Sequence, residues 1–176
     1  MRCAWSALLL SLTVSAAVRA AEAPATTYYL GEAITTTGPD VTRKPYIVAR
    51  TIDKAASTIS ESVVSFSQGA FHENATVLKV DGNRLTLSDS TGMTGSGEFT
   101  GVPWNWTFLH AEFSIMKLGL RIVDFNFFAE PGSVLGHKDL YRKDGAGEKL
   151  LQQEDVVLHP VDKPIFEAKR RELLKL

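Results

Sequence analysis

The chain has 176 residues, with 19 Lys and Arg against 20 Asp and Glu, and one cysteine. A near-neutral, slightly acidic balance without basic blocks argues against nucleic acid or an anionic membrane surface as partner. The single cysteine, Cys3, lies in the N-terminal segment, so the folded domain has neither a disulfide framework nor a cysteine nucleophile.

Arg2 precedes the apolar run Leu8-Leu9-Leu10-Ser11-Leu12-Thr13-Val14, and Val18-Arg19-Ala20 sets small residues at the −3 and −1 positions of a cleavage site. This pattern predicts a secretory signal peptide over residues 1–20 and a secreted or periplasmic protein. The run is well short of the roughly 20 residues that span a bilayer, so no stable membrane insertion is expected. Cleavage would remove Arg2 and Arg19, leaving 17 of the 19 basic residues against 20 acidic ones. The remaining 21–176 suit one domain with its own core.

Period-2 alternation then dominates. Candidate strands are Tyr28–Thr36, Tyr46–Asp53, Thr58–Phe66, Thr76–Val80, Arg84–Ser88, Met93–Thr100, Trp104–Ile115, Leu118–Ala129, Val134–Lys143 and Lys149–Leu158. Turn chemistry separates them at Gly38-Pro39, Asp81-Gly82-Asn83, Thr91-Gly92, Pro131-Gly132 and Asp144-Gly145-Ala146-Gly147. Thr35–Arg43 reads as a flexible loop. After Asp162, a helix cap with Pro164 in the first turn, residues 164–176 are helix formers. Ile165, Phe166, Leu173 and Leu176 are expected to pack on the sheet, with Lys169, Arg170 and Arg171 in water. Ten short antiparallel strands leave two vulnerable edges unless the sheet closes. The expected fold is all-β: an antiparallel meander closed into a barrel with a C-terminal helix, a two-sheet sandwich being the alternative.

The densest stretch is Gly95–Phe113, GSGEFTGVPWNWTFLHAEF. A two-residue turn at Met116-Lys117 sets Trp106 opposite Phe127, Phe108 opposite Phe125, His110 opposite Val123 and Glu112 opposite Arg121, all chemically matched pairs. A reversal at Thr100–Pro103 sets Gly97 beside Trp106 and Gly95 beside Phe108, so that rings cover bare backbone. The predicted inner face is then Met93, Gly95, Gly97, Phe99, Trp104, Trp106, Phe108, His110, Val123, Phe125 and Phe127. Such a wall lines either a filled barrel or a pocket. Asp124 and Asn126, with Asn105 and Thr107, fall on the opposite face, and become an internal polar cluster if the two faces are inverted.

His72, His110, His137 and His159 form no metal-ligand spacing, and there is no nucleophile elbow, phosphate loop or dinucleotide fingerprint, so no metal, cofactor or catalytic residue is assigned. The signal peptide, the strand meander and the late helix together resemble the lipocalin-like, or calycin, barrels, including small exported bacterial members. The chain departs from them in carrying Gly101-Val102-Pro103-Trp104 mid-chain where lipocalins have Gly-x-Trp near the first strand, and in having no disulfide. The resemblance implies binding of small apolar molecules.

The function expected is a secreted or periplasmic binding protein for a small hydrophobic molecule held in a barrel cavity. Trp104, Trp106, Phe108, Phe125 and Phe127 are its expected contacts and His110 its polar anchor. A barrel enzyme (cyclase, isomerase or hydrolase) using His110 or Asp124 is the alternative, and haem ligation through His110 a third reading. The sequence does not define an oligomeric state.

Overall fold

A computed structural model describes residues 22–88, 92–129, 132–145 and 147–176; the predicted leader, residues 1–20, lies outside them. Ten strands follow in chain order: β1 (Ala25–Thr37), β2 (Asp40–Asp53), β3 (Thr58–Ser67), β4 (Ala70–Asp81), β5 (Arg84–Ser88), β6 (Met93–Val102), β7 (Asn105–Ile115), β8 (Leu120–Ala129), β9 (Ser133–Asp144) and β10 (Gly147–Val161). A helix, α1 (Lys163–Leu174), ends the chain. Each strand pairs antiparallel with its neighbour in sequence, and β1 also pairs with β10, which closes the barrel. Closure gives every strand two partners, and this removes the edges that an open ten-strand sheet would expose. The alternative of a two-sheet sandwich is thereby set aside.

The residues expected to form a loop at Thr35–Arg43 are instead a tight hairpin. Pairing of β1 with β2 runs out to Thr37 opposite Asp40, leaving Gly38-Pro39 as the turn, with Gly38 at φ 57°. The run of threonines there is β-prone and carries the ladder to the rim.

Alternation along β2 sorts the molecule into inside and outside. Tyr46, Val48, Arg50 and Ile52 face the barrel interior, whereas Ile47, fully buried, faces out under α1 with Val64, Phe166 and Leu173. The helix begins after Asp162, whose carbonyl accepts from the Phe166 N–H at 3.1 Å, but the Asp162 side chain makes no capping bond. Only Phe166 and Leu173 are buried among the four apolar residues expected to pack; Ile165 and Leu176 are exposed. A clamp compensates: Arg170 reaches β4 with Nε 3.0 Å and Nη2 2.6 Å from the two Glu73 oxygens, so this arginine is not merely solvated. The barrel interior holds two further apolar clusters, one around Leu85, Phe99 and Leu109 and one around Tyr29, Val134 and Val156.

Candidate functional site

Between these clusters the barrel is hollow. A cavity of about 360 Å³ reaches the β6–β7 turn, and residues of all ten strands bound it, from Thr27 to Leu158. Its mouth is aromatic, its walls aliphatic (Ile59, Leu78, Leu109) and its floor charged.

The mouth is built by one turn and one bulge. Pro103-Trp104 joins β6 to β7, with Val102 opposite Asn105. Proline presets the first turn position, and the second demands φ > 0, normally met by glycine. Here Trp104 takes it, at φ 68°, a conformation that costs a non-glycine residue on the order of 1 kcal/mol. Its indole lies 5.0 Å from that of Trp106. Three residues on, the pairing skips Thr107: Thr100 faces Phe108 and Gly101 faces Trp106. A bulge of this kind reverses the side on which the flanking residues lie. Trp106 therefore turns in over the mouth, stacks on Phe99 at 3.9 Å and 11°, and donates from Nε1 to Asn83 Oδ1 at 3.0 Å.

The floor is a set of cross-strand ion pairs. Arg50 stands opposite Glu61 in register, with Nε 2.6 Å from its Oε1, and its guanidinium lies between the rings of Tyr29 (5.6 Å) and Phe128 (5.3 Å). Lys138 stands opposite both Asp124 on β8 and Glu154 on β10. Its ammonium donates to Tyr46 Oη at 2.9 Å and lies 3.5 Å from Glu154. Asp124 accepts from Asn126 Nδ2 at 3.0 Å. Tyr46 and Glu154 also border a second cavity of about 340 Å³ at the opposite end, lined by Thr35, Thr42, Lys44 and Gln152.

Protonation follows from enclosure. Burial opposes the charge of Lys138, yet Tyr46, Asp124 and Glu154 together hold its pKa well above the ordinary value. Burial likewise opposes the Arg50 charge and Glu61 restores it. Burial pushes the Tyr46 phenol up, with Lys138 pulling against it, so Tyr46 keeps its hydrogen while accepting from lysine. Burial also raises the Asp124 carboxyl, against the opposing pull of Lys138.

Of the residues expected on the inner wall, Met93, Phe99, Trp104 and Trp106 border the cavity. Phe108, His110, Val123, Phe125 and Phe127 do not: they lie on the outer face, alternating with the inward Leu109, Asp124, Asn126 and Phe128. The observed pairing departs from the expected one twice, and the second departure causes this. The β7–β8 connection is a 3₁₀ turn, Met116–Leu118, closed by Gly119 at φ 61°, so Phe108 meets Phe127 and His110 meets Phe125. The Thr107 bulge then separates Trp104 and Trp106 from the face of Phe108 and His110. Gly95 and Gly97 do lie inward, but opposite Phe113 and Ala111 rather than Phe108 and Trp106. His110 stacks on Phe125 at 4.8 Å, its side chain 46% exposed, and so is neither a cavity anchor, a cavity base nor a ligand to a group held within the barrel.

The inverted arrangement is the one observed: Asp124, Asn126 and Asn105 border the cavity, while Thr107 is the exposed bulge residue. Tyr46, Arg50, Glu61 and Lys138 were not anticipated. Their signal in the sequence is charge matching on one strand face, Arg50 with Glu61 and Asp124 with Lys138, which identifies paired neighbours once the register is known. No family model and no curated protein matches the chain.

Proposed function

We propose that the barrel binds one small amphipathic molecule, its apolar body between the aromatic mouth and aliphatic walls and its polar end on the charged floor. The supporting observation is a single cavity of about 360 Å³ that carries both surfaces, within the roughly 300–1,000 Å³ range of small-molecule sites. Trp104 and Trp106 are its aromatic contacts. The closed barrel with a late helix fits a lipocalin-like architecture, and with the predicted leader we read the protein as an exported lipocalin-like carrier. The uncharged dye Nile red tests this. With Trp5 removed by leader cleavage, emission comes from Trp104 and Trp106 alone, and saturable one-to-one dye binding with quenching of that emission is expected. Absence of saturable binding, or binding unchanged when Val63→Phe fills the cavity, overturns the reading.

Asp124 favours a second reading, proton transfer. A carboxyl raised by burial shares the cavity with Tyr46, whose hydroxyl accepts from Lys138 and so directs its own hydrogen elsewhere. Faster deuterium uptake next to the carbonyl of 2-octanone with the protein than with Asp124→Asn would establish it; equal uptake would exclude it.

A further inference from the structure

One carboxyl of the floor stands outside its ion pairs. Among the described residues, Glu61 is paired with Arg50 at 2.6 Å and Glu154 with Lys138 at 3.5 Å. Asp124 has no Lys or Arg nitrogen within 4 Å among the described residues, and its hydrogen-bond partner is the neutral amide of Asn126. The groups facing it are Lys138 from β9, already held by Tyr46 and Glu154, Arg50 from β2 and Glu61 from β3, which hold each other, and the Ala111 methyl from β7. Lys44, like Glu154, borders the second cavity, and lies 4.6 Å over the ring of Phe66. Of the two carboxyls that border the main cavity, Glu61 is held in an ion pair and Asp124 is not, and Asp124 faces the space a ligand would fill.

We infer that the ligand is a primary or secondary amine on an apolar body, its ammonium paired with Asp124 and its body running to the tryptophan mouth. This deepens the proposed binding function and rests on it. An ammonium gives Asp124 an ion-pair partner and donates to the oxygen that Asn126 leaves open; a charge-assisted bond in an enclosed site is among the stronger polar contacts. A carboxylate ligand would set a second anion beside Asp124 and find Arg50 and Lys138 already engaged. Arg50 between Tyr29 and Phe128 shows that these walls accept a cation against a ring face.

Octylamine, 1-octanol and octanoate share one apolar body and differ in the head alone, so isothermal titration of the three isolates it. Octylamine is expected to bind at least tenfold tighter than octanol, about 1.4 kcal/mol, with octanoate weakest. Asp124→Asn should bring octylamine down to octanol while leaving octanol unchanged, which also reports that the cavity is intact. In the unaltered protein, octylamine affinity should climb with pH as Asp124 ionises above the ordinary carboxylate range, with octanol flat; this arm decides the matter should the variant not fold. Octanoate binding as tightly as octylamine, or an amine preference that survives Asp124→Asn, overturns the inference. Nile red binding without any of the three octyl probes sinks the amine alone; loss of Nile red binding as well sinks the cavity function with it.

Discussion

The two faces of β8 carry opposite chemistry, and not in the usual sense. Outward it presents Val123, Phe125 and Phe127; inward it presents Ile122, Asp124, Asn126 and Phe128. In a solid barrel the aromatic face would be the core. Here the interior is a bordered space, and its polar groups are tolerable because each has a partner: Asn126 for Asp124, Glu154 and Tyr46 for Lys138, Glu61 for Arg50. Outside, the rings cover one another, Phe108 with Phe127 at 4.6 Å and His110 on Phe125 at 4.8 Å, and α1 packs on the far side, over β1 and β4. Apolar content therefore does not identify the inner face of a hollow barrel; pairing does.

Adjacent phenylalanines make the strongest test of that contrast. Phe128 packs against Phe99 at 6.5 Å and beneath Arg50. Phe128→Ala removes a ring from the cavity wall and one side of the guanidinium sandwich, and is expected to cost about 3 kcal/mol in urea unfolding. Gly97→Val comes next. Its Cβ would sit 2.6 Å from both the Ala111 Cβ and the His110 carbonyl oxygen; neither can swing away as a ring could. Overpacking against backbone should cost about 2 kcal/mol and lower Tm whether the cavity is empty or filled. Unaltered stability in Gly97→Val would mean that β6 and β7 do not approach as closely as they do here.

The sequence disclosed the strands through alternation and their ends through Gly, Pro and Asp turns, because both are local. The β5 limits, Arg84–Ser88, agree with those read from the pattern. Closure followed from the number of strands and the need to satisfy edges. The cross-strand partners and the inner face were not legible, each for a local reason. Leu118 belongs to a 3₁₀ turn rather than to a strand, which moves the β8 register by two residues. Thr107 is a bulge, which no alternation pattern marks, and it splits one apparent aromatic stripe into a mouth (Trp104, Trp106) and an outer face (Phe108, His110). The floor depends on pairs far apart in the chain, Lys138 with Tyr46 above all, and only the closed barrel brings those together.

Asp124→Asn sharpens the contrast from the polar side with a smaller effect and an inverted sign. Burial raises the folded-state pKa of Asp124 above its unfolded value, so the folded state binds that proton more tightly. Its contribution is fully present below the ordinary aspartate range and declines as pH rises through the folded pKa, above which it is constant. The unaltered protein should therefore lose this increment between acidic and neutral pH, and Asp124→Asn should not. At pH 7 the variant should melt slightly higher than the parent, and near pH 3 no higher. A variant less stable at pH 7 would show that the carboxylate is held by a cation, contrary to its surroundings here.

The smallest effect belongs to the outer face. Phe127 is 56% exposed and its main contact is the Phe108 ring, so Phe127→Ser gives up one aromatic pair and little buried area. Its cost should stay below about 1 kcal/mol. More telling is the dye: Nile red affinity should not move, since residue 127 points away from the cavity, whereas Phe128→Ala should weaken it. Residues 127 and 128 share one strand and one side-chain chemistry and differ only in the side on which they stand. Loss of dye binding on Phe127→Ser, with binding kept on Phe128→Ala, would mean that β8 faces the other way and that the charged set around Lys138 meets water instead of ligand.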